Sequence, residues 1–228
     1  MRKLRILCLH GYRGNATTLR LQMRPFTQGL EPLAEFVCVD APSLAMGSFG
    51  WWHAVSNDGD DSKPAGVGQP TMRYEGWSET KAWLISLFRQ SAPFDGVFGF
   101  SQGAALTSLL VGLRNPCEAE SRISFDFAMM AGGFASGDRS HANLYQRKAE
   151  YDLPSVHIIG TSDFVVPSSH SDRLASLFRA PLILRHSGGH VVPGDPHVRN
   201  SVAAFLQERA GTVPDLVSDA AGGGRRTC

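Results

Sequence analysis

Residues 95–110 of this 228-residue chain have the sequence DGVFGFSQGAALTSLL, and this stretch decides the fold. A short apolar run typical of a buried strand leads into Ser101, and an apolar run with helical spacing follows it. Gly99, Ser101 and Gly103 form the pattern G-x-S-x-G, in which a serine lies on a strained turn between a strand and a helix. The glycines leave room for backbone that crosses the turn closely. The alternative is a glycine-rich turn in which Ser101 only caps the helix.

Outward from this unit, short apolar runs alternate with helical patterns along the whole chain. The predicted strands are residues 4–9, 36–39, 96–100, 125–130, 156–159 and 182–184, and the predicted helices are residues 80–89, 102–113, 169–178 and 200–209. Several strands are continuously apolar, which indicates a sheet covered on both faces. The alternation predicts an α/β fold with a mostly parallel central sheet and helices on both faces.

The length and the composition along the chain predict one domain, over residues 1–210. Residues 43–71 are rich in Gly, Pro and Asp around Trp51 and Trp52, and they predict a lid-like insertion that forms a pocket wall. The alternative for this segment is a flexible loop that does not form part of a pocket. Residues 211–228 lose the helical pattern and contain a glycine run, so we expect them to form a disordered tail.

Composition argues against several classes of partner. With 22 basic and 21 acidic residues the net charge is +1, so no charge excess favours nucleic acid or an anionic membrane surface. The four cysteines show no C-x-x-C or Cys/His pairing, which argues against a zinc site and favours a reducing, cytoplasmic location. No apolar stretch approaches the ~20 residues that span a bilayer. The first ten residues predict a buried strand rather than a signal peptide.

Two loops late in the chain supply partners for Ser101. Asp163 follows the predicted strand 156–159, and His190 follows the predicted strand 182–184. In α/β hydrolases the triad residues occur in the order serine, acid, histidine, on loops after successive strands. We therefore expect His190 to accept the Ser101 proton, and Asp163 to hold the histidine tautomer and to stabilise the imidazolium.

Other histidines and acids compete for these roles. His186 lies at a strand end and is the alternative base, while Asp172, in a predicted helix, and Asp195, behind the histidine, are the alternative acids. His157 lies inside a strand and is predicted to be a core residue. The remaining histidines beyond the first strand are predicted to be surface or loop residues: His53, His141, His170 and His197.

The loop after the first strand runs beside the serine turn in such a fold. We expect the backbone N–H groups of Tyr12 and Gln102 to bind the oxyanion that develops during the reaction. His10 is predicted to tie this loop down. Arg13 is predicted to be a surface residue, with a contact to a polar substrate group as the alternative.

Four blocks occur in a fixed order along the chain: LHGYRGN (9–15), PFDGVFGFSQGAAL (93–106), SVHIIGTSD (155–163) and HSGGHVVP (186–193). Over residues 3–207 the chain resembles the fungal and eukaryotic FSH family of serine hydrolases, and Trp51-Trp52 and Tyr74-Glu-Gly resemble further family blocks. The resemblance implies an α/β-hydrolase fold with the triad on Ser101, Asp163 and His190. The family includes carboxylesterases and thioesterases that release polyketide chains in fungal secondary metabolism. Gly14 departs from the pattern, because many relatives carry a larger polar residue there.

These features predict a serine hydrolase that cleaves an acyl ester or acyl thioester through an acyl-enzyme on Ser101. The expected substrate carries a medium-to-long or polyketide-like acyl group, free or bound to a carrier protein, with Trp51 and Trp52 near the acyl pocket. The mechanism needs no metal and no organic cofactor. Two alternatives stay open: a non-catalytic ligand-binding protein that keeps the pocket, and an acyltransferase that uses an alcohol instead of water. The catalytic residues do not choose between ester and thioester.

Overall fold

The structure is a computed structural model that describes residues 2–46, 50–56, 72–91, 93–114, 123–147 and 149–212. Six strands form one parallel sheet in the order β2-β1-β5-β6-β7-β8, and β3 and β4 form a separate antiparallel pair. The strands are β1 (Leu4–Leu9), β2 (Ala34–Val39), β3 (His53–Ser56), β4 (Met72–Glu75), β5 (Gly96–Phe100), β6 (Phe127–Ala131), β7 (Ser155–Gly160) and β8 (Leu182–His186).

Helices cover both faces of this sheet. They are α1 (Ala16–Thr27), α2 (Trp77–Ser91), α3 (Gln102–Leu113), α4 (Ala142–Tyr145), α5 (Ser168–Ala175) and α6 (Pro196–Thr212). Short 3-10 turns lie at Pro42–Met46, Arg139–His141 and Glu150–Asp152. One apolar core packs α1 and α6 against one face, and a second core packs α2, α3 and α5 against the other. The predicted fold, a mostly parallel sheet between two helical layers, is confirmed.

The central strand β5 is buried along its whole length, as its continuous apolar sequence predicts. It pairs with β1 and β6, so Ser101 at its carboxyl end lies in the middle of the sheet. The loops that follow β1, β7 and β8 leave the same edge, because parallel strands bring their carboxyl ends together. Loops distant in sequence therefore meet around Ser101.

The sequence prediction differs from the structure at several elements. It missed α1 and the β3–β4 pair, and it ended the fifth helix at residue 178 although α5 ends at Ala175. The last helix continues through Gly211 and Thr212, so these two residues are not part of a tail. Residues 213–228 lie outside the described residues, as do residues 57–71 of the predicted insertion, and the domain boundaries stay a prediction. Within the described ranges, no helix combines the length and apolar character needed to cross a membrane.

Candidate active site

Ser101 lies between β5 and α3 with a strained backbone. Its φ of 57° and ψ of −117° are values that residues with a side chain rarely adopt. Neighbouring elements hold this turn: the Ser101 N–H donates to the Ala131 carbonyl at 2.9 Å, and the Ser101 carbonyl accepts the Ala104 N–H at 2.9 Å. The turn leaves the hydroxyl of Ser101 at the wall of a cavity.

Gly99 and Gly103 let α3 start close to the sheet. A Cβ atom on Gly99 would lie 2.1 Å from the Gly103 carbonyl oxygen, and one on Gly103 would lie 2.1 Å from the Leu9 carbonyl oxygen. Neither glycine has a positive φ. Close backbone approach therefore explains both glycines of the G-x-S-x-G pattern, as the sequence indicates.

A chain of hydrogen bonds joins the three residues that the sequence selects. The Nε2 atom of His190 lies 2.8 Å from the Ser101 Oγ, and the Nδ1 atom lies 2.6 Å from an oxygen of Asp163. An ionised carboxylate only accepts, so Nδ1 carries the proton and Nε2 is left to accept the serine hydroxyl. The ring of Phe100 packs against the imidazole, with 4.8 Å between ring centroids. A nucleophile, a base and an orienting acid require a hydrogen-bond chain of this kind.

The carboxylate of Asp163 is buried and well supplied with donors. Its side chain is 2% exposed, and one oxygen accepts the Val165 and Val166 N–H groups at 2.9 Å and 2.8 Å. Burial raises the pKa of Asp163, but the Val166 N–H, the hydrogen bond and charge of His190 and the Val165 N–H together lower the pKa below its ordinary value. The acid therefore stays ionised beside His190 at neutral pH.

The rival acids and base have other partners. Asp172 pairs with Arg185 at 2.6 Å, and Asp195 accepts backbone N–H groups at the start of α6. His186 accepts a backbone N–H of its own loop at 3.2 Å. Asp172 thus joins α5 to β8, Asp195 caps α6 and His186 holds its own loop. His190, in contrast, contacts both Asp163 and Ser101.

Two further histidines are buried. His157 is 2% exposed inside β7, as a core residue is expected to be. His141 lies in the turn Arg139–His141, as the loop half of its prediction requires, but it is not a surface residue, because it is 3% exposed. His141 packs against the rings of Trp77 and Tyr74 at 4.6 Å and 5.5 Å, and its Nδ1 lies 2.8 Å from Ser136 Oγ. Its polar sequence neighbours hide this burial, which depends on contacts with distant residues.

His10 holds the loop after β1. The ring is fully buried and stacks on Trp51 with 4.8 Å between centroids. Its Nδ1 donates to the Gly11 carbonyl at 2.8 Å, and its Nε2 accepts the Ala41 N–H at 3.2 Å, so one neutral tautomer satisfies both contacts. Burial lowers the pKa of His10, although the Gly11 carbonyl and Asp40 raise it. These contacts match the anchoring role expected for His10.

Tyr12 and Gln102, the expected oxyanion donors, both line the cavity beside Ser101. Gln102 is the first residue of α3, so its N–H has no acceptor within the helix, and the helix dipole favours negative charge there. Tyr12 lies in a tight turn closed by a hydrogen bond of 3.0 Å between the Gly14 N–H and the Gly11 carbonyl. Arg13, next in this turn, has a φ of 59° and an exposed side chain.

The cavity beside Ser101 has a volume of about 420 Å³ and mainly apolar walls. Trp51 and Trp52, which are adjacent in the sequence and were both predicted to lie near the acyl pocket, have different surroundings in the structure. Trp52 lines the cavity and stacks on Tyr74 with 4.6 Å between centroids, whereas Trp51 is fully buried behind it. His53 and Ala54 also line the cavity and belong to the segment 43–71, which was predicted to form a pocket wall. The remaining lining residues were not predicted: Met72, Tyr74, Phe134, Val165 and Val166.

The side chain of Gln102 has a role that sequence reasoning missed. Its oxygen accepts the Trp51 N–H at 3.1 Å, and its nitrogen donates to the Trp52 carbonyl at 2.8 Å. The indole N–H of Trp51 donates to the His10 carbonyl at 2.8 Å. The residue after the serine thus attaches the tryptophan segment to the turn. The sequence signal is a long polar side chain at the start of a helix whose later residues are mostly apolar.

A serine on a strand–turn–helix elbow, with an acid and a histidine from later loops, defines the α/β-hydrolase class. Solved structures share this fold. Acyl-protein thioesterase 2 of Zea mays aligns with a TM-score of 0.62 at 22% identity, over 92% of this chain and 94% of that chain. Esterase PE8 aligns with a TM-score of 0.59 at 23% identity, over 90% of this chain and 92% of that chain. At these identities the likeness shows the fold alone.

Sequence comparison narrows the class to a family. The profile described as "Serine hydrolase (FSH1)" matches residues 1–202. Esterase OVCA2 of Xenopus tropicalis is 38% identical over 84% of this chain and 87% of its own length, and Esterase CG5412 of Drosophila melanogaster is 32% identical over 91% and 75%. The chain belongs to the FSH1 family of serine hydrolases. The predicted family and the prediction of a serine hydrolase enzyme are confirmed.

Proposed function

We propose that the protein hydrolyses esters or thioesters of apolar acyl groups, with Ser101 as nucleophile, His190 as base and Asp163 as orienting acid. The observation that carries the proposal is the unbroken hydrogen-bond chain from Asp163 through His190 to Ser101, at 2.6 Å and 2.8 Å, beside an apolar cavity. The esterase relatives and the serine hydrolase family support the same chemistry.

The first half of the reaction acylates Ser101. The Nε2 atom of His190 takes the hydroxyl proton as Oγ attacks the carbonyl carbon, and the Asp163 carboxylate stabilises the imidazolium that forms. The N–H groups of Tyr12 and Gln102 bind the oxyanion, each donor being worth about 3 kcal/mol in other serine hydrolases. Collapse of the tetrahedral intermediate breaks the bond to the alcohol or thiol, which leaves with the proton from His190.

The second half releases the acid. A water molecule gives a proton to His190 Nε2 and attacks the acyl carbon, and Ser101 leaves with that proton. Only the leaving group differs between an ester and a thioester, so one site serves both. None of these steps uses a metal or an organic cofactor.

The walls of the cavity favour an apolar acyl group. Trp52, Met72, Phe134 and Val165 contribute apolar side chains, and apolar ligand surface is stabilised against them at about 25 cal/mol per Å². The relatives named esterases favour an oxygen ester. Release of a polyketide or fatty acyl chain from a carrier protein is the thioester form of the proposal. The cytoplasmic location stays a prediction.

Turnover by matched variants tests the proposal. Acetyl, octanoyl and longer acyl esters of one alcohol are compared with acyl-pantetheine thioesters of the same chains, using the wild type, Ser101→Ala and Ser187→Ala. Ser187 is an exposed serine on the loop before His190 and is the matched control. We expect only Ser101→Ala to lose turnover and labelling by a fluorophosphonate probe.

The same experiment separates the alternatives. Labelling and turnover that survive in Ser101→Ala would exclude this nucleophile. Binding of acyl ligands by a wild type that neither turns over nor reacts with the probe would favour a non-catalytic receptor. Transfer of the acyl group to added alcohols in preference to water would identify an acyltransferase.

A further inference from the structure

Apolar side chains are exposed beside the candidate active site, on the two loops that carry Asp163 and His190. Phe164 is 94% exposed, Val165 is 70% exposed and Val191 is 51% exposed. Each follows Asp163 or His190 by one or two residues. Single exposed apolar residues are ordinary on a protein surface, but a group at the mouth of a cavity indicates an interaction surface.

The two loops expose these residues in the same way. Each contains the sequence Val-Val-Pro, at 165–167 and at 191–193. In each, the first valine is exposed, and the second, Val166 or Val192, is 6% exposed and packs inward. The first loop is also held by the Asp163 carboxylate, which accepts the Val165 and Val166 N–H groups. The buried valines therefore anchor loops that keep Phe164, Val165 and Val191 in water.

The surface formed by these side chains is without charge. Residues 164–171 and 187–194 contain no Lys, Arg, Asp or Glu. Covering the surface with an apolar layer therefore removes no charged side chain of these segments from water, and that removal is the costly part of burying a protein surface.

We propose that Phe164, Val165 and Val191 form a docking surface that contacts the acyl layer of a neutral lipid aggregate, from which the site takes its ester. The inference rests on the proposed function for its substrate. Val165 belongs both to this docking surface and to the wall of the cavity, so the two are continuous. A phenylalanine as exposed as Phe164 protrudes from the protein and does not line a groove. A layer of many acyl chains can surround such a side chain, whereas one acyl chain inside the cavity leaves it in water.

Binding to neutral phosphatidylcholine vesicles, measured by sedimentation, tests the docking surface. Phe164→Gln removes the most exposed side chain, and Phe164→Leu keeps its apolar character. Leu21→Gln is the matched control, since Leu21 is 65% exposed on α1, on a different segment from the two loops. We expect Phe164→Gln to bind about tenfold or more weakly, Phe164→Leu to retain most of the binding, and Leu21→Gln to match the wild type. High salt should not weaken wild-type binding, because no charged side chain belongs to the docking surface.

Each contrary outcome overturns the proposal in a recognisable way. A wild type that ignores the vesicles, or a Phe164→Gln variant that binds them equally, excludes the docking surface. A concentration-dependent dimer that Phe164→Gln dissociates assigns the surface to a second copy of the chain instead.

Turnover of a water-soluble acetyl ester separates this proposal from the proposed function. We expect Phe164→Gln to keep this turnover within about twofold, because the docking surface contacts the aggregate and not the acetyl group. If the wild type binds vesicles but turns over no ester, the docking surface is supported and the proposed function is contradicted.

Discussion

The Ser101–His190 pair at the carboxyl end of the sheet can be compared with the Ser155–His157 pair at the amino end of β7. The oxygen–nitrogen distances are similar, 2.8 Å and 3.2 Å. Their surroundings differ. His190 has the Asp163 carboxylate on its second nitrogen and a side chain that is 16% exposed, whereas Ser155 and His157 are 1% and 2% exposed. Contact between a serine and a histidine is therefore only one part of a site, and the acid and the access complete it.

Basicity also argues against a catalytic role for His157. Burial lowers the pKa of His157 to about 3, so its imidazole is a poor acceptor for a serine proton. Cavity size does not distinguish the two ends. A cavity of about 530 Å³ lies at the amino ends of β7 and β8, lined by Ser155, Leu182 and Phe205 among others, and it is larger than the one beside Ser101. The convergence of Ser101, His190 and Asp163 makes the smaller cavity the candidate active site.

Among the variants that test this comparison, the one that removes the acid is expected to lose the most activity. In Asp163→Asn the amide can hold His190 in the wrong tautomer and supplies no charge to the imidazolium, so we expect kcat to fall by about 10³–10⁴-fold. Steady-state kinetics with an octanoyl ester measures the loss. Asp172→Asn, which removes the rival acid, should keep kcat within about twofold. Loss of activity in Asp172→Asn with retention in Asp163→Asn would reverse the assignment.

The pH dependence of the free energy of unfolding tests the buried Ser155–His157 pair. An unfolded histidine titrates near its ordinary pKa of about 6.5, so below that pH the unfolded chain takes up a proton that the folded His157 refuses. The free energy of unfolding should therefore fall as pH falls, by about 2 kcal/mol from this residue between pH 7 and pH 5. Urea unfolding at both pH values measures it.

In His157→Leu this contribution disappears, and the difference in stability between pH 7 and pH 5 should shrink by that amount. The exposed His170 provides the control, since His170→Leu should keep the wild-type difference. An equal pH dependence in the wild type and in His157→Leu would show that the folded His157 takes up the proton as readily as the unfolded chain.

Trp52→Ala, which tests access to the Ser101 pair, has the smallest expected effect, and Trp51→Ala, with a larger effect on stability, is its contrast. Trp52→Ala removes a cavity wall and should raise KM for an octanoyl ester about tenfold relative to an acetyl ester, as about 1.4 kcal/mol of lost contact would do. Trp51→Ala should lower the free energy of unfolding by about 3–5 kcal/mol, because the fully buried Trp51 leaves a void. Kinetics and urea unfolding distinguish the two. Equal changes in KM for both esters in Trp52→Ala would exclude it from the acyl pocket.

Much of the sheet could be predicted from the sequence because its strands are continuously apolar and its central motif is local. The bounds of β1, β5 and α3 were predicted correctly. Helix α1 was missed although Leu19, Met23 and Phe26 have helical spacing, since arginines and Pro25 interrupt the pattern. Its start does carry a signal, the capping box of Asn15 and Thr18. The β3–β4 pair was missed because each strand has four residues with partly exposed faces.

Some residues of the candidate site could be predicted from the sequence, and others could not. Ser101, Asp163 and His190 follow strands whose carboxyl ends must meet, so chain order and strand position were enough to select them. The walls of the cavity were not, because Met72 and Phe134 come from separate segments that only the folded chain brings together. No sequence pattern records which of two adjacent tryptophans faces a cavity.

The positive φ of Ser101 lowers the stability of the folded chain, although the turn presents the hydroxyl group to the cavity. A residue with a side chain held in such a backbone costs about 1–3 kcal/mol, and glycine adopts the same backbone without that cost. Selection for heat resistance alone would therefore drive this position towards glycine. A serine at this position therefore costs stability, which a use for its hydroxyl group would explain.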